Sequence, residues 1–263
     1  MPIAKVNGVN INYEEHGSGK PVFLIGGLGS TISSWDDQIP VYSKHFKVIV
    51  FDNRGSGLSS KPTAPYSTKD MADDTIALAD FLGIEKASFA GKSMGGMIAQ
   101  WIGINHPERV RRLVMGCSTA HRDEVGNLIL ETGRQISEKA GMGPVWLTAL
   151  FLGYGRQYIE DNLTAIKERL AGVQTTPEDI AGYHGQCAAC EGHETAGLLP
   201  RIKSPSLVMF GTEDNVTDPK RAAEVGELIP DATVRAFEGC GHGFWREKRE
   251  EVDALVVDFL SSG

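Results

Sequence analysis

Ala87-Ser88-Phe89-Ala90-Gly91-Lys92-Ser93-Met94-Gly95-Gly96-Met97-Ile98-Ala99-Gln100-Trp101 is the stretch on which the reading of this chain turns. Ala87–Ala90 is a short β-rich run, and Met94 to Asn105 is small, apolar and helical in pattern, stopping before Pro107. Between them Gly91-Lys92-Ser93-Met94-Gly95 forms a Gly-x-Ser-x-Gly turn from strand into helix. Such a turn strains the serine backbone and presents its hydroxyl at a helix N-terminus, where developing negative charge is favoured. Ser93 is therefore the candidate nucleophile.

The same alternation extends outward. Val9–Tyr13 alternates apolar and polar residues, while Pro21–Ile25, Phe46–Phe51 and Arg112–Met115 are short apolar runs. Runs of that kind suit parallel strands covered on both faces, with crossover helices between them. Met71–Leu82 supplies one such helix, closed by Gly83. The pattern resumes with Leu207–Phe210, Thr233–Phe237 and a last helix over Arg249–Leu260. From Ala120 to Arg201 it is replaced by helical patterns at Val125–Ala140, Pro144–Leu152, Gln157–Ala171 and Pro177–Cys190. The expectation is an α/β fold, a mostly parallel sheet flanked by helices with a helical lid inserted before the last two strands. Residues 1–119 and 202–263 form its core and 120–201 the lid.

A serine hydroxyl needs a base, and the base needs an orienting partner. Of the seven histidines, His242 sits just past the last strand run, in Gly239-Cys240-Gly241-His242-Gly243, where glycines leave room for an imidazole to project. Gly211-Thr212-Glu213-Asp214 follows the preceding strand run and supplies the acid, Asp214, with Glu213 one residue away as the alternative. Two backbone N–H groups are needed for a tetrahedral oxyanion. Met94, directly after the serine, and Leu28, in Gly26-Gly27-Leu28-Gly29-Ser30, are placed to give them. In the helical segment Trp146 and Phe151, with Leu147, Leu152 and Tyr154, are expected to form an apolar substrate pocket.

Other chemistries fit less well. A net charge of −8 leaves no basic face for nucleic acid. The N-terminal residues lack the features of a signal peptide, and no apolar run approaches the ~20 residues that span a bilayer, so a cytoplasmic protein without a membrane partner is expected. Four cysteines, Cys117, Cys187, Cys190 and Cys240, do not make a disulfide scaffold in 263 residues. His184, Cys187, Cys190 and His193 recur every third residue, but on a helix such positions drift by about 60° per step and cannot converge on one tetrahedral ion. No metal and no organic cofactor is expected.

Gly26-Gly27-Leu28-Gly29, Trp35, the run Asp52 to Ser59, the Ser93 turn, Pro107-Glu108-Arg109-Val110, Gly211–Asp214 and Gly241-His242 together resemble the α/β-hydrolase superfamily. Ser93–Trp101 and Pro107–Val114 look most like the 3-oxoadipate enol-lactonase group and its esterase relatives. The resemblance implies a Ser93–His242–Asp214 triad that hydrolyses a small to medium carboxylic ester or lactone through an acyl-enzyme. It also admits peracid formation of the non-haem haloperoxidase kind, C–C bond hydrolysis, or a slow-turnover ligand receptor, and a homo-oligomer is compatible with it. One departure stands out: the family has His-Gly where this chain has Gly26-Gly27, which removes a side chain that braces the loop. The Asp52–Ser59 loop is expected to brace it from below.

Overall fold

The computed structural model describes residues 2–173 and 175–262. Met1, Gln174 and Gly263, which the expected core and lid boundaries take in, lie outside the described residues. The strands are β1 (Ile3–Val6), β2 (Val9–His16), β3 (Pro21–Ile25), β4 (Lys47–Phe51), β5 (Ala87–Lys92), β6 (Val110–Gly116), β7 (Ser206–Gly211) and β8 (Ala232–Phe237). The helices are α1 (Ile39–Tyr42), α2 (Thr68–Phe81), α3 (Met94–Asn105), α4 (Glu124–Ala140), α5 (Met142–Gly153), α6 (Arg156–Asp161), α7 (Leu163–Ala171), α8 (Pro177–Glu191), α9 (Pro219–Leu228), α10 (Phe244–Glu247) and α11 (Arg249–Ser261).

All eight strands lie in one sheet, in the order β1-β2-β4-β3-β5-β6-β7-β8. From β4 to β8 every pairing is parallel, and β2 and β1 are added antiparallel at one edge. Period-two alternation sorts the apolar side chains into two layers. Phe23, Ile25, Ile49, Phe89, Leu113 and Val208 face one layer, packed with α2, α3 and α9. Val22, Leu24, Val48, Val50, Val114 and Leu207 face the other, packed with α1, α10 and α11. Both faces are covered, which is why these strands read as unbroken apolar runs.

β3 sits between β4 and β5, so the chain winds one way from β3 and the opposite way from β5. In such sheets a crevice opens at the carboxyl ends of the strands flanking the reversal. Here those ends carry the Gly26–Ser30 loop and Ser93.

Helices α4–α8 fill the interval between β6 and β7. The ends of this segment meet: His121 and Glu194 form an isolated antiparallel bridge, and Thr195 N–H donates to the Ala120 carbonyl at 2.8 Å. The single helix expected over Gln157–Ala171 is two, α6 and α7. Asn162 stands at the break, and its side-chain amide donates to the Tyr158 carbonyl at 2.8 Å, closing α6 as a helix-ending turn. β1 was not anticipated, because its alternation is only four residues long; it is held by a tight Asn7-Gly8 turn in which both residues have positive φ. No helix among the described residues is long and apolar enough to cross a membrane.

Candidate active site

Ser93 stands between β5 and α3 with φ 56° and ψ −117°, a conformation that costs energy for any residue with a Cβ. The turn is this sharp because it is packed without side chains on either flank. A Cβ on Gly91 would strike the Gly95 backbone, and one on Gly95 would strike the Ile25 carbonyl. The Ser93 N–H is tied to the Gly116 carbonyl of β6 at 2.8 Å, so the strain is held by the sheet.

Asp214 and His242 follow β7 and β8, two neighbouring parallel strands, and come together there. His242 Nδ1 lies 2.7 Å from Asp214 Oδ2. The other carboxylate oxygen accepts from Val216 N–H at 2.8 Å and Thr217 N–H at 2.9 Å, which fixes the carboxyl plane. Glu213 is exposed. Burial works against the imidazolium, but the Asp214 charge, with the Cys117 sulfur beside the ring, outweighs it and raises the His242 pKa well above its ordinary value.

Ser93, His242, Leu28 and Met94 line one cavity of about 1230 Å³. Among the described residues Ser93 Oγ makes no hydrogen bond. The Gly26–Ser30 loop lies directly on the serine: a Cβ on Gly27 would come 3.3 Å from Ser93 Cβ. Within that loop Gly29 N–H donates to Gln186 Oε1 at 2.6 Å and Ser30 N–H to the Gly27 carbonyl at 3.1 Å. The N–H groups of Leu28 and Met94 are left without partners among the described residues.

The upper wall of the cavity comes from α4, α5 and α7. Trp146, Leu152 and Tyr154 line it as expected of the helical segment. Phe151 does not; its side chain is 63% exposed on the outside of α5, as Leu147 is at 40%. Five residues along a helix is a rotation of about 140°, so Trp146 and Phe151 cannot share the inward face.

The α/β-hydrolase fold family matches residues 20–152, slightly more than half of the chain. The chain belongs to that family. It is similar to 3-oxoadipate enol-lactonase 2 of Acinetobacter baylyi, 32% identical over 88% of this chain and 85% of the relative. It is also similar to 2-hydroxymuconate semialdehyde hydrolase of Pseudomonas sp. strain CF600, 27% identical over 97% of this chain and 91% of the relative. The crystal structure of the enol-lactonase from Burkholderia xenovorans LB400 superposes with a TM-score of 0.91 at 27% identity, over 99% of this chain and 100% of that one.

In this α/β hydrolase the bracing lost at Gly26-Gly27 is supplied from elsewhere. Asn53 Nδ2 donates to the Gly26 carbonyl at 3.1 Å, and Gln186 of α8 links Gly29 to the Arg54 carbonyl at 2.7 Å. Asp52 anchors the lower loop, its Oδ1 accepting from Ile32 N–H at 2.8 Å and its Oδ2 from Leu58 N–H at 2.9 Å. Reading the sequence did not single out Gln186, or Cys117, a buried residue at φ 46° beside His242. The remaining residues of the His/Cys series have structural partners. Cys187 and Cys190 are buried, His184 contacts Ser137 Oγ at 2.9 Å, and His193 contacts Thr68 Oγ1 at 2.8 Å.

Proposed function

We propose that this α/β hydrolase cleaves a small to medium carboxylic ester or lactone with Ser93 as nucleophile, His242 as general base and acid, and Asp214 as its orienting partner. The observation that carries this reading is the Asp214–His242 pair at 2.7 Å, opening on the same cavity as the strained Ser93. With Nδ1 engaged by Asp214, Nε2 is the nitrogen left to take a proton. Ser93 Oγ attacks the carbonyl carbon, its proton passes to Nε2, and the carboxylate of Asp214 stabilises the imidazolium. The Ser93–His242 contact closes in the substrate complex, as such contacts commonly do. Leu28 and Met94 N–H groups, unclaimed by other acceptors among the described residues, hold the oxyanion. Collapse expels the alkoxide, which takes the proton from His242; in a lactone it stays attached to the acyl chain. Water, deprotonated by the same imidazole, then releases the acid from Ser93.

The helical segment 120–201 acts as a lid on the core in this reading, its Trp146 standing over the oxyanion loop. The test is Ser93→Ala, expected to fold and to lose on the order of 10⁴ to 10⁶ in kcat. A fluorophosphonate should label Ser93 alone. Labelling at another residue, or full activity in the alanine variant, would remove the mechanism.

A further inference from the structure

The loop that carries His242 has little of its own to hold it. Three of the five residues in Gly239-Cys240-Gly241-His242-Gly243 lack side chains, and Gly239 has a positive φ of 69°. Its support comes from outside. Glu247 N–H donates to the Gly243 carbonyl at 3.2 Å, one turn of α10 that brings the Glu247 side chain back to the loop. There Oε1 accepts from the N–H of Gly241, the residue before His242, at 2.9 Å. The other oxygen, Oε2, accepts from Gly155 N–H at 3.2 Å, in the turn between α5 and α6 and 92 positions away in sequence.

The two segments joined by this carboxylate are fitted to each other. A Cβ on Gly241 would come 2.5 Å from the Gly153 carbonyl oxygen, and one on Gly243 would strike the Tyr154 ring. Gly243 N–H donates to the same Gly153 carbonyl at 2.7 Å. The 153–155 turn thus meets the chain on both sides of His242. Glu247 makes no ion pair among the described residues, and the adjacent Arg246 is engaged by Asp37 at 3.0 Å. Hydrogen bonds from backbone N–H to a carboxylate are about twice as strong as those to a neutral acceptor. Two such bonds to one carboxylate leave the loop a single seat.

We infer that Glu247 is a positioning residue for His242: its carboxylate sets the place of the imidazole by fastening the loop before it to the 153–155 turn. The inference rests on the serine-hydrolase reading for what His242 does, and on the two hydrogen bonds of Glu247 for how it is held.

Two variants test the bridge from opposite ends. Glu247→Gln keeps the length of the side chain but offers one acceptor oxygen to two N–H groups. Gly155→Pro leaves Glu247 in place and removes the N–H that meets Oε2. Proline suits the backbone there: Gly155 has φ −63°, and Tyr154 before it is extended, with φ −130° and ψ 146°. Each variant should lower kcat about 10- to 100-fold, the effect of a misplacement of roughly 1 Å, with KM within a few-fold of wild type. The proton between His242 Nδ1 and Asp214 resonates far downfield in the ¹H NMR spectrum, and its absence in Asp214→Asn assigns it. That resonance should shift or vanish in both variants, whereas lost stability alone would leave it unmoved in the folded fraction. A folded variant with an unmoved resonance, or with the kcat of wild type, overturns the assignment. Should one variant fail to fold, the other decides. If wild type turns over no ester, the serine-hydrolase reading fails by itself, and the resonance alone then judges Glu247.

Discussion

Lys92, the residue directly before Ser93, has its Nζ 3.7 Å from the centre of the Trp35 ring and 4.7 Å from that of Trp245. The ammonium thus joins three elements: the Ser93 turn, the start of α1 through Gln38, and α10, which begins two residues after His242. Burial, with the Arg246 charge in the same sense, pushes its pKa down to about 7, while Asp253 and Asp37 work the other way. A folded lysine with a lowered pKa binds fewer protons than the unfolded chain between that value and the ordinary 10.5. Stability should therefore rise with pH over that window. In Lys92→Met the rise should be absent, as read from urea unfolding at a series of pH values; an equal rise in the variant would place its source elsewhere.

Asp214→Asn should lower kcat by up to ~10⁴, because the amide favours the wrong imidazole tautomer. Glu213→Gln should stay within a few-fold of wild type, since Glu213 is exposed and the imidazole is held by Asp214 instead. Steady-state kinetics on one ester substrate checks both, and reversed effects would give the orienting role to Glu213.

The acidic limb of kcat/KM should lie above the ordinary histidine value of 6.5, because His242 is raised. Activity needs the neutral ring, so it falls as pH drops through the raised pKa. Replacing Asp214 by Asn removes the charge that favours imidazolium and should move the limb to lower pH. The linked stability has the opposite sense: full below the unfolded value of 6.5 and lost as pH rises through the folded one. A limb unmoved in Asp214→Asn would mean that another group controls it.

Trp146→Ala should alter the preference for acyl chain length, since this ring lines the cavity and rests on Gly29. Phe151→Ala should leave both preference and stability nearly untouched, its side chain being mostly in solvent. A series of p-nitrophenyl esters on the two variants separates the cases, and a shift confined to Phe151→Ala would reverse them.

What could be read in the sequence was local. The Ser93 turn, the apolar runs of β3–β7 and the start of α8 depend on residues within a few positions of one another, and the structure has them where the patterns fall. The Asp214 and His242 positions needed only the strand ends before them. Contacts carried across the fold left no such mark. Nothing near Gln186 in sequence says that it will reach Gly29, 157 positions away, and nothing near Cys117 says that its backbone will turn left-handed beside an imidazole. Phe151 has the apolar character of a pocket wall, but its place five residues along α5 from Trp146 turns it to solvent.

Helices α5 and α8 hold both working loops by their backbones. Gln186 takes the Gly29 N–H, Trp146 covers Gly29, and the Gly153 carbonyl at the end of α5 accepts from Gly243 N–H at 2.7 Å, one residue past His242. These helices cannot lift away as a hinged cover without breaking those contacts to both loops. Undocking them would release the Gly26–Ser30 loop and the His242 loop in the same event, so under the proposed mechanism an open molecule would be a disarmed one. Amide hydrogen exchange should report this as one cooperative unit, with Gly29 and Gly243 losing protection in step with α5 and α8, not with the sheet that carries them.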